Sequence, residues 1–500
     1  MSKTASTTGK WSALLAAILG WMFDGFEMGL FPLVAHPALQ DLLHTDDRGE
    51  IGKWIGIITA GFLVGAATGG VLFGWLGDRI GRVRAMALSI MTYALFSGLC
   101  GFSQSAEMLL IFRVLASLGM GGEWSLGVSL VMELWPGKSR GWLAGLIGAA
   151  SNIGFILDAV LSMTLLSVIE SLHKLMVSIG LPESQVEHLL SNGGWRILMM
   201  CGVAPALLTF LIRLFVPESE KWKEEESKGS TSHWATRDLL GVLLGSLGPL
   251  AMLYLWANSD VSLSLRLIGT LIGLIMAIFG YLYPVSRYLQ RAGGNQVLQG
   301  AGGQPVRKLM LLGAVLSGVA LLGTWGSLQW AAPWAASLTA DTEFTHAKEY
   351  TQIALGIGAV VGTILAAMAG HHFGRRITYF ALCILSLGSA LLFYQTNTSF
   401  GSWFLFTGFL GGTATASFYG WLPLYLPELF PTSVRATGQG FAFNFGRILA
   451  AVGTLQTGAL MKEVFEDSYP QACSVMSSIY VIGMIAIWFV PETHGHESEA

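Results

Sequence analysis

The chain has 500 residues, of which 53% are hydrophobic and only 12% are charged, about half the charged share of an average soluble protein. The formal net charge is −3 and no tract rich in Lys and Arg occurs, so nothing indicates nucleic-acid binding. Four cysteines lie in or beside apolar segments without metal-ligand spacing, and we interpret them as packing residues. The composition excludes a soluble globular protein and predicts an all-α polytopic membrane protein.

Apolar runs of about 20 residues, the length that crosses a bilayer, recur along the whole chain. The predicted spans lie over 11–35, 51–76, 84–102, 107–132, 142–168 and 195–216, then 239–256 and 261–284, then 309–335, 352–369, 377–395, 401–425, 436–460 and 472–490. They amount to about 14 membrane helices. The run 239–256 is short and Arg266 lies near the outer end of its partner, so an interfacial hairpin is the alternative for this central pair.

Basic residues in the short loops set the orientation, because Lys and Arg collect on the cytoplasmic side. With a cytoplasmic N-terminus, the inner loops hold Arg79, Arg82, Arg84, Lys138, Arg140, Arg287, Arg291, Arg307, Lys308, Arg375 and Arg376. The outer loops are mixed or acidic. In one of them, 169–194, apolar residues at helical spacing predict an amphipathic helix lying on the outer face. We expect a multi-pass protein of the cytoplasmic (inner) membrane with both termini in the cytoplasm.

Four segments of the first half return in the same order in the second half. Glu133–Arg140 returns as Glu428–Arg435, and 150–160 returns as 442–452 with seven of eleven positions identical. Gly81-Arg82 also returns as Gly374-Arg375, and Val216–Ser219 as Val490–Thr493. Such self-similarity predicts two six-helix bundles with pseudo-symmetry, which face the same way because six is even. We place them at 1–216 and 309–500, with the extra pair in a central linker, 217–308.

The loop between the second and third spans combines three glycines with four charges. Glycine allows a sharp turn and a close approach of backbones. The residues in question are Gly74, Gly77, Asp78, Arg79, Gly81, Arg82 and Arg84. A chance basic loop would explain the charges but not the glycine spacing. The order G-x-L-x-D-R-x-G-R resembles the loop signature of the major facilitator superfamily, a fold in which two bundles enclose a substrate site near the membrane midplane.

We expect Asp78 to meet the positive N-terminus of the eleventh span of that fold, since a helix N-terminus and nearby Arg residues stabilise a carboxylate. Such a contact is an inner gate latch. The predicted gating residues are Gly74, Asp78, Arg79, Gly81, Arg82, Glu133, Arg140, Glu428 and Arg435.

Ionisable side chains inside a bilayer are costly, so each is a functional candidate. Helix rise places Asp24, Glu27, Arg113 and Asp158 in one layer and puts Glu123 close to the cytoplasmic end, where we favour a structural role. Desolvation and a nearby guanidinium shift a carboxyl pKa in opposite directions. An acid that gains or loses Arg113 as the halves move would therefore bind and release a proton. We predict proton coupling at these four residues; the alternative is a static ion pair that fixes helix register.

Arg447 has no acid beside it in sequence, so its guanidinium needs an anion from elsewhere. A substrate carboxylate suits it, and Asp158 or a helix end is the alternative. Aromatic and amide side chains of the seventh and tenth spans of the fold could stack on and hydrogen-bond a sugar or aromatic ring. Trp equally serves as an interfacial anchor. The predicted substrate-binding residues are Arg447, Asn444, Gln329, Trp330 and Tyr419, with Trp334 and Trp421 as further candidates.

The run Asp24-Gly-Phe-Glu27 resembles the D-G-x-D element in the first span of aromatic-acid:proton and sialic-acid:proton symporters. The fourth-span run 112–124 and the loop 133–140 also resemble the sialic-acid group, which has an extra central helix pair. Segment 217–222 resembles the P-E-S segment of sugar:proton symporters. In those, a first-span acid pairs with a fourth-span Arg, which implies Glu27 with Arg113 here. Glu27 stands where these groups mostly have Asp, which leaves the substrate open.

The sequence thus predicts a secondary transporter that imports a small organic anion with protons. Sialic acid or a related acidic sugar comes first, and an aromatic or other carboxylate or a sugar second. The expected partners are the substrate, protons and lipid, and we expect a monomer. No cofactor is expected, because the proton gradient supplies the energy and no nucleotide-binding G-x-x-x-x-G-K-[ST] loop occurs.

Three other classes are weighed. The nearest is a drug:proton antiporter, some of which also have fourteen spans. A non-transporting sensor usually needs a signalling domain, for which the roughly ten-residue tails leave no room. A membrane enzyme needs a nucleophile–base pair or a metal cluster at membrane depth, and the sequence suggests neither.

Overall fold

The computed structural model describes residues 7–135, 139–204, 212, 215–258, 261–292, 299–340, 342–344, 346–466 and 468–494. Within these ranges the chain is almost entirely helical, and the β structure is one isolated bridge between Gln299 and Pro305. The helices of the first half are α1 (Thr7–Leu43), α2 (Arg48–Ile80), α3 (Arg82–Cys100), α4 (Ala106–Leu134), α5 (Arg140–Ser178) and α6 (Glu183–Cys201).

The linker holds α7 (Glu220–Ser227), α8 (Leu239–Ala257) and α9 (Leu263–Arg291). The second half contains α10 (Val306–Trp325), α11 (Ala331–Leu338), α12 (Ala347–Phe373), α13 (Arg375–Thr396), α14 (Ser402–Thr415), α15 (Phe418–Tyr425), α16 (Arg435–Glu463), α17 (Tyr469–Ser477) and α18 (Ile479–Ala486). Short 3₁₀ turns join several of these helices, among them Leu328–Trp330 and Thr432–Val434.

Eleven helical stretches of the described residues are long and apolar enough to cross a membrane, and each coincides with a predicted span. The other three predicted spans are mostly helical where they are described. Span 195–216 falls partly outside the described residues, span 401–425 is α14 and α15 around Ala416, and span 436–460 is α16. The domain boundaries at 216 and 308 stay predictions, as does Lys138, which lies outside the described residues.

The predicted amphipathic helix on the outer face is wrong as a separate element. Helix α5 continues without a break to Ser178, and the chain turns only at Gly180, whose φ of 93° is open to glycine. No strong helix-breaking residue precedes that glycine within 169–179, so nothing separates the amphipathic stretch from the span before it. Leu175 and Ile179 are exposed at this end of the protein.

Neighbouring helices approach closely through glycine. A Cβ atom at Gly69 of α2 would collide with the carbonyl of Leu118 in α4, and one at Gly121 of α4 would collide with the carbonyl of Ala66. Gly25 of α1 faces the backbone of α5 in the same way. Lipid is as apolar as the helices, so helix association in a bilayer depends on this kind of packing rather than on hydrophobic burial.

The central pair packs against itself and against the first half. Gly245 of α8 and Gly280 of α9 lie back to back, and the hydroxyl of Tyr281 in α9 is 2.8 Å from that of Thr68 in α2. Large apolar side chains stay exposed along both helices. Arg266, near the outer end, donates a hydrogen bond to the carbonyl of Asn258 at 3.0 Å.

Gly69→Leu should therefore destabilise the protein, because the new side chain has to displace the α4 backbone. Overpacking of this kind costs about 1–3 kcal/mol or more. The matched control is Gly56→Leu on the same helix, where an added Cβ meets nothing within 4 Å. The control should melt at or above the wild-type temperature, since leucine favours a helix over glycine by about 1 kcal/mol. Thermal unfolding of the purified proteins in detergent checks this; equal melting of the two variants would contradict it.

Candidate functional site

A cavity with about 950 Å³ of empty volume, part of it open to solvent, lies between helices of the two halves. Most of its lining is apolar, with rings from Trp21, Phe155, Trp325, Tyr419 and Phe443. Its uncharged polar side chains are Ser151, Asn152, Thr324, Gln329, Gln352, Thr415 and Tyr419. Among the described lining residues, the single charged one is Arg447. The cavity can therefore hold a small molecule with an apolar body and one negative group.

Arg447 sits in α16, and its residue is only 2% exposed. Its Cζ lies 5.5 Å from the ring centre of Phe443. Across the cavity wall it interacts electrostatically with Asp24 of α1 and with Tyr419. Within the described part of the chain, Nη1 of Arg447 has no hydrogen-bond partner. A buried guanidinium nitrogen without an acceptor is costly, so this atom provides a place for an anion.

Two of the other predicted substrate residues, Gln329 and Tyr419, line the cavity, and two do not. Asn444 points to α4 instead, where Nδ2 donates to the carbonyl of Gly121 at 3.0 Å, in the space that Gly70 leaves open. Trp330 packs near Tyr469, with ring centres 6.2 Å apart. The sequence therefore predicts which segments border the cavity, but not that the side chains of Asn444 and Trp330 face away from it.

The further candidates Trp334 and Trp421 are buried in clusters that adjoin the cavity, but neither is among its described lining residues. Sequence reasoning missed Trp21, Asn152, Trp325 and Gln352 as lining residues. Asn152 carried a signal, because it belongs to the repeated run that also contains Asn444.

Glu27 of α1 and Arg113 of α4 form an ion pair, and both residues are 2% exposed. The Arg113 guanidinium also lies over the rings of Phe31 and Phe62, at 4.9 and 4.3 Å from their centres. Asp158 of α5 is close enough to Glu27 to interact with it, and its carboxylate lies against Gly29. The structure does not bring Asp158 to Arg447, which removes the alternative partner for that guanidinium within the described residues.

Glu123, which helix rise predicts close to the cytoplasmic end and well below Asp24, lies beside Asp24 instead. Its carboxylate occupies the space left by the missing side chain of Gly20, one helical turn before Asp24 on α1. The prediction takes the end of each apolar run as a bilayer boundary, whereas α1 and α4 are both longer than the bilayer is thick. The run ends therefore do not fix the relative depths of residues on these two helices.

An aromatic cluster lies beside the cavity, and two of its rings, Trp21 and Phe443, line it. Trp124 of α4 stacks on Phe443 of α16 with ring centres 3.9 Å apart, and Trp21 of α1 lies 6.2 and 6.1 Å from the two. This cluster joins α1 and α4 of the first half to α16 of the second.

Asp78 lies at the N-terminus of α16. Its carboxylate accepts hydrogen bonds from the backbone N–H of Ala436 (3.2 Å) and Thr437 (2.8 Å) and from the Thr437 hydroxyl (2.6 Å). Arg82 donates to it at 2.7 Å. A helix N-terminus attracts an anion through its free N–H groups and its dipole, so this contact joins α2 of one half to α16 of the other. Gly74 allows the approach, because a Cβ there would be 2.7 Å from the carbonyl oxygen of Ala436.

A charged layer surrounds this contact. Glu133 of α4 accepts from Arg82 at 3.2 Å and from Arg435 of α16 at 3.3 Å, so it also bridges the halves. Its repeat equivalent Glu428 makes the corresponding pair with Arg375 inside the second half, at 2.7 Å. The two copies therefore share the contact within a half and differ in the bridge from Glu133 to Arg435.

The remaining predicted gating residues occupy varied positions. Arg140 donates to the carbonyl of Met132 at 3.3 Å and lines a small pocket with Glu428 and Arg435. Arg79 faces the linker, where it donates to the Thr236 hydroxyl at 2.6 Å. Gly81 has a φ of 106° and starts the turn into α3.

Two glutamates cap equivalent helices. Glu218 accepts hydrogen bonds from the N–H groups of Arg82 (2.8 Å) and Val83 (3.1 Å), and Glu492 accepts from those of Arg375 (2.9 Å) and Arg376 (3.0 Å). Burial raises the pKa of Glu218 more than its hydrogen bonds lower it. Burial also acts to raise the pKa of Glu492, but the backbone hydrogen bonds outweigh it and the pKa is lowered.

The sequence contains a "Sugar (and other) transporter" family match over residues 13–240 and 322–500. It is 27% identical to a probable 4-methylmuconolactone transporter of Cupriavidus pinatubonensis (96% of this chain, 90% of the relative). It is 24% identical to a niacin transporter of Acinetobacter baylyi (96% and 94%) and 23% identical to a sialic acid transporter of Escherichia coli K12 (87% and 83%). The fold is similar to that of the major facilitator superfamily proton:xylose symporter, with a TM-score of 0.67 at 18% identity over 98% of this chain and 97% of that one.

Removing the charge of Asp78 should loosen the cytoplasmic side. Asp78→Asn keeps the shape but loses the charge–dipole interaction, worth up to about 2 kcal/mol in a buried setting. A cysteine at Ser129, in a variant whose four native cysteines are replaced by serine, reports on this seam, because Ser129 is buried and accepts from Gln439 Nε2 at 2.5 Å. Its labelling by a maleimide added to inside-out vesicles should become roughly 10-fold faster. Arg79→Gln is the control and should not change the rate; equal rates in Asp78→Asn and wild type would contradict the latch.

The two capping glutamates should give opposite pH dependences. A lowered folded pKa stabilises the folded state above the ordinary glutamate pKa of about 4.3, and that stability is lost as pH falls. The advantage of wild type over Glu492→Gln should therefore shrink as pH falls. The pKa of Glu218 is raised in the folded state, so its contribution to stability is present at low pH and is lost as pH rises. The advantage of wild type over Glu218→Gln should therefore shrink as pH rises. Melting temperatures in detergent across this range check both; slopes of the same sign would contradict the assignment.

Proposed function

The chain belongs to the Sugar (and other) transporter family of the major facilitator superfamily, and from that premise we propose that it imports a small organic anion together with protons. As a member of this family it is a multi-pass membrane transporter of small molecules and not an enzyme. One observation carries the proposal: Arg447 is the one charged residue among the described lining residues of the central cavity, and its Nη1 atom lacks an acceptor there. A carboxylate would supply that acceptor in a charge-assisted hydrogen bond.

The lining favours a planar carboxylate over an acidic sugar. Rings of Trp21, Trp325, Tyr419 and Phe443 surround a mostly apolar space, which suits an aromatic or conjugated body. A sialic acid would bring many hydroxyl groups, each of which needs a polar partner once buried. The relatives named for niacin and 4-methylmuconolactone support the first class, and the relative named for sialic acid keeps the acidic sugar as the second candidate.

The substrate is expected to reach this cavity by alternating access. The Asp78 contact and the Glu133–Arg435 pair close the seam between α2, α4 and α16, which is the cytoplasmic side in the predicted orientation. Opening toward the cytoplasm requires these contacts to break. The shared fold of the proton:xylose symporter supports this movement of one half against the other.

Proton coupling is assigned to the acids that lie behind the cavity. The Glu27–Arg113 pair is buried within the first half, with Asp158 close to Glu27 and Asp24 one turn away on α1. Glu27 binds a proton when Arg113 moves away and loses it when the pair forms again. The proton gradient supplies the energy, so no bound cofactor is required.

We further propose fourteen spans, with two pseudo-symmetric bundles, cytoplasmic termini, a monomeric state and a place in the inner membrane. The match to the family model omits 241–321, the stretch that contains most of α8 and all of α9. The exposed apolar side chains on both helices support membrane crossing rather than an interfacial hairpin, which would need one strongly polar face.

A drug:proton antiporter is less consistent with the cavity. A cationic drug would be repelled by Arg447, and the described lining residues include no acid to attract it.

Ligand binding tests the proposal with a matched pair of molecules. Nicotinate and nicotinamide have the same ring and differ in the charge of one group. Wild type should prefer nicotinate, and Arg447→Gln should weaken nicotinate binding by roughly 10–100-fold, since a hydrogen bond to a charged group is worth about 1.5–3 kcal/mol. Nicotinamide binding should hardly change. Isothermal titration of the purified protein in detergent measures these affinities.

Gln329→Ala is the control variant, because it removes an uncharged lining side chain and should affect both ligands alike. N-acetylneuraminate is titrated in parallel. Binding of N-acetylneuraminate alone would select the acidic sugar as substrate class. A wild type that binds nicotinamide as tightly as nicotinate, or an Arg447→Gln variant that keeps the preference, would contradict the role of Arg447.

A further inference from the structure

We propose that Asp24 and Glu123 form a second proton-binding site, in which two carboxyl groups share one proton and the uptake of that proton frees Arg447 to bind the substrate anion. The proposal adds Glu123, which no sequence feature assigned to coupling. It rests on the proposed function only where Arg447 acts as the substrate ligand.

The two acids are adjacent and removed from water. Asp24 is 0% and Glu123 is 3% exposed. The Glu123 carboxylate fills the space beside Gly20, which brings it to the same face of α1 as Asp24.

No well-formed hydrogen bond reaches any of the four buried carboxylate oxygens within the described residues. The Tyr93 hydroxyl approaches Glu123, and each carboxyl group is close enough to the other to share a proton. Two ionised carboxylates cannot share a dry site at low cost. A proton between them removes one charge and supplies the missing hydrogen bond.

Four charged or titratable groups lie around the pair, on α1, α3, α4 and α16. Glu27 lies one turn further along α1, and Tyr93 of α3 interacts with both acids. Arg447 of α16 is the cation that faces Asp24, whereas Arg113 of α4 is paired with Glu27. Arg447 is thus the guanidinium that can stabilise the ionised form of the pair.

This geometry couples the proton to the substrate. When the pair is ionised, Asp24 attracts Arg447; when the pair takes up a proton, that attraction weakens and Arg447 is left for the substrate carboxylate. By linkage, anion binding to Arg447 then favours proton binding to the pair by the same factor. Proton and anion therefore bind together, as import of both requires. No covalent bond of the substrate changes in this exchange.

Infrared difference spectroscopy of the purified protein in bilayers tests the shared proton without any substrate. The carbonyl stretch of a protonated carboxyl group is recorded as pH is varied. Wild type should show one titrating band from the pair, and its frequency should change in both Asp24→Asn and Glu123→Gln, because either change removes the carboxyl–carboxyl hydrogen bond. Glu107→Gln, an exposed acid at the start of α4, is the matched control and should leave the band unchanged.

Gly20→Ala provides a second test that keeps both acids. Its new Cβ would collide with Oε1 of Glu123 and should shift the same band. Arg447→Gln removes the facing cation, so the protonated band should persist to a higher pH, by about one unit or more.

Two results would overturn the shared site: a band that is unchanged in both acid variants, or two independent bands of which each variant removes one. An unchanged titration in Arg447→Gln would overturn the coupling to that residue. Failure of nicotinate and N-acetylneuraminate to bind would instead count against the proposed function alone, since the infrared titration uses no ligand.

Discussion

The bilayer interior offers an ionised side chain no water, so each buried charge must be met by another group of the protein. Most of the buried charges described here satisfy this requirement in pairs: Asp78 with Arg82 and the end of α16, Glu133 with Arg82 and Arg435, and Glu27 with Arg113. Among the described residues, the carboxylates of Asp24, Glu123 and Asp158 and Nη1 of Arg447 remain without a hydrogen-bond partner. A proton would satisfy such an acid and an anion would satisfy Arg447, and these are the two species that we propose the protein carries.

The seam between α2, α4 and α16 depends on an asymmetry between two similar segments. In the first half Glu133 bridges to Arg435 of the second half, whereas Glu428 pairs with Arg375 of its own half. Asp78 adds a charge at a helix N-terminus, and the residue at the corresponding place of the second half is His371. The closing contacts therefore come mainly from the first half, and a small number of hydrogen bonds holds the seam. Such a seam is able to open without disrupting either bundle.

The sequence was sufficient for the elements that follow a strong period or a repeated motif. The spans, the position of Asp78 at a helix end and the proximity of Glu27 to Arg113 were all accessible from run lengths, loop signatures and family resemblance. The side of a helix that faces the cavity was not, because an apolar helix in a bilayer has little amphipathic contrast. Asn444 and Trp330 were misplaced for that reason. Glu123 was misplaced because α1 and α4 are both longer than the bilayer is thick, so the ends of their apolar runs do not fix relative depth, and because Gly20 makes room for a carboxylate that no pattern reveals.

The central claim is import of an organic anion driven by protons, and uptake of labelled nicotinate into proteoliposomes tests it most directly. Wild type is compared with Glu27→Gln, with and without an inward proton gradient of about one pH unit. With one proton per anion, the gradient should raise accumulation in wild type by up to about 10-fold, while Glu27→Gln should exchange nicotinate across the membrane without accumulating it. Uptake that is equal with and without the gradient, or that increases only when the gradient is reversed, would contradict proton symport.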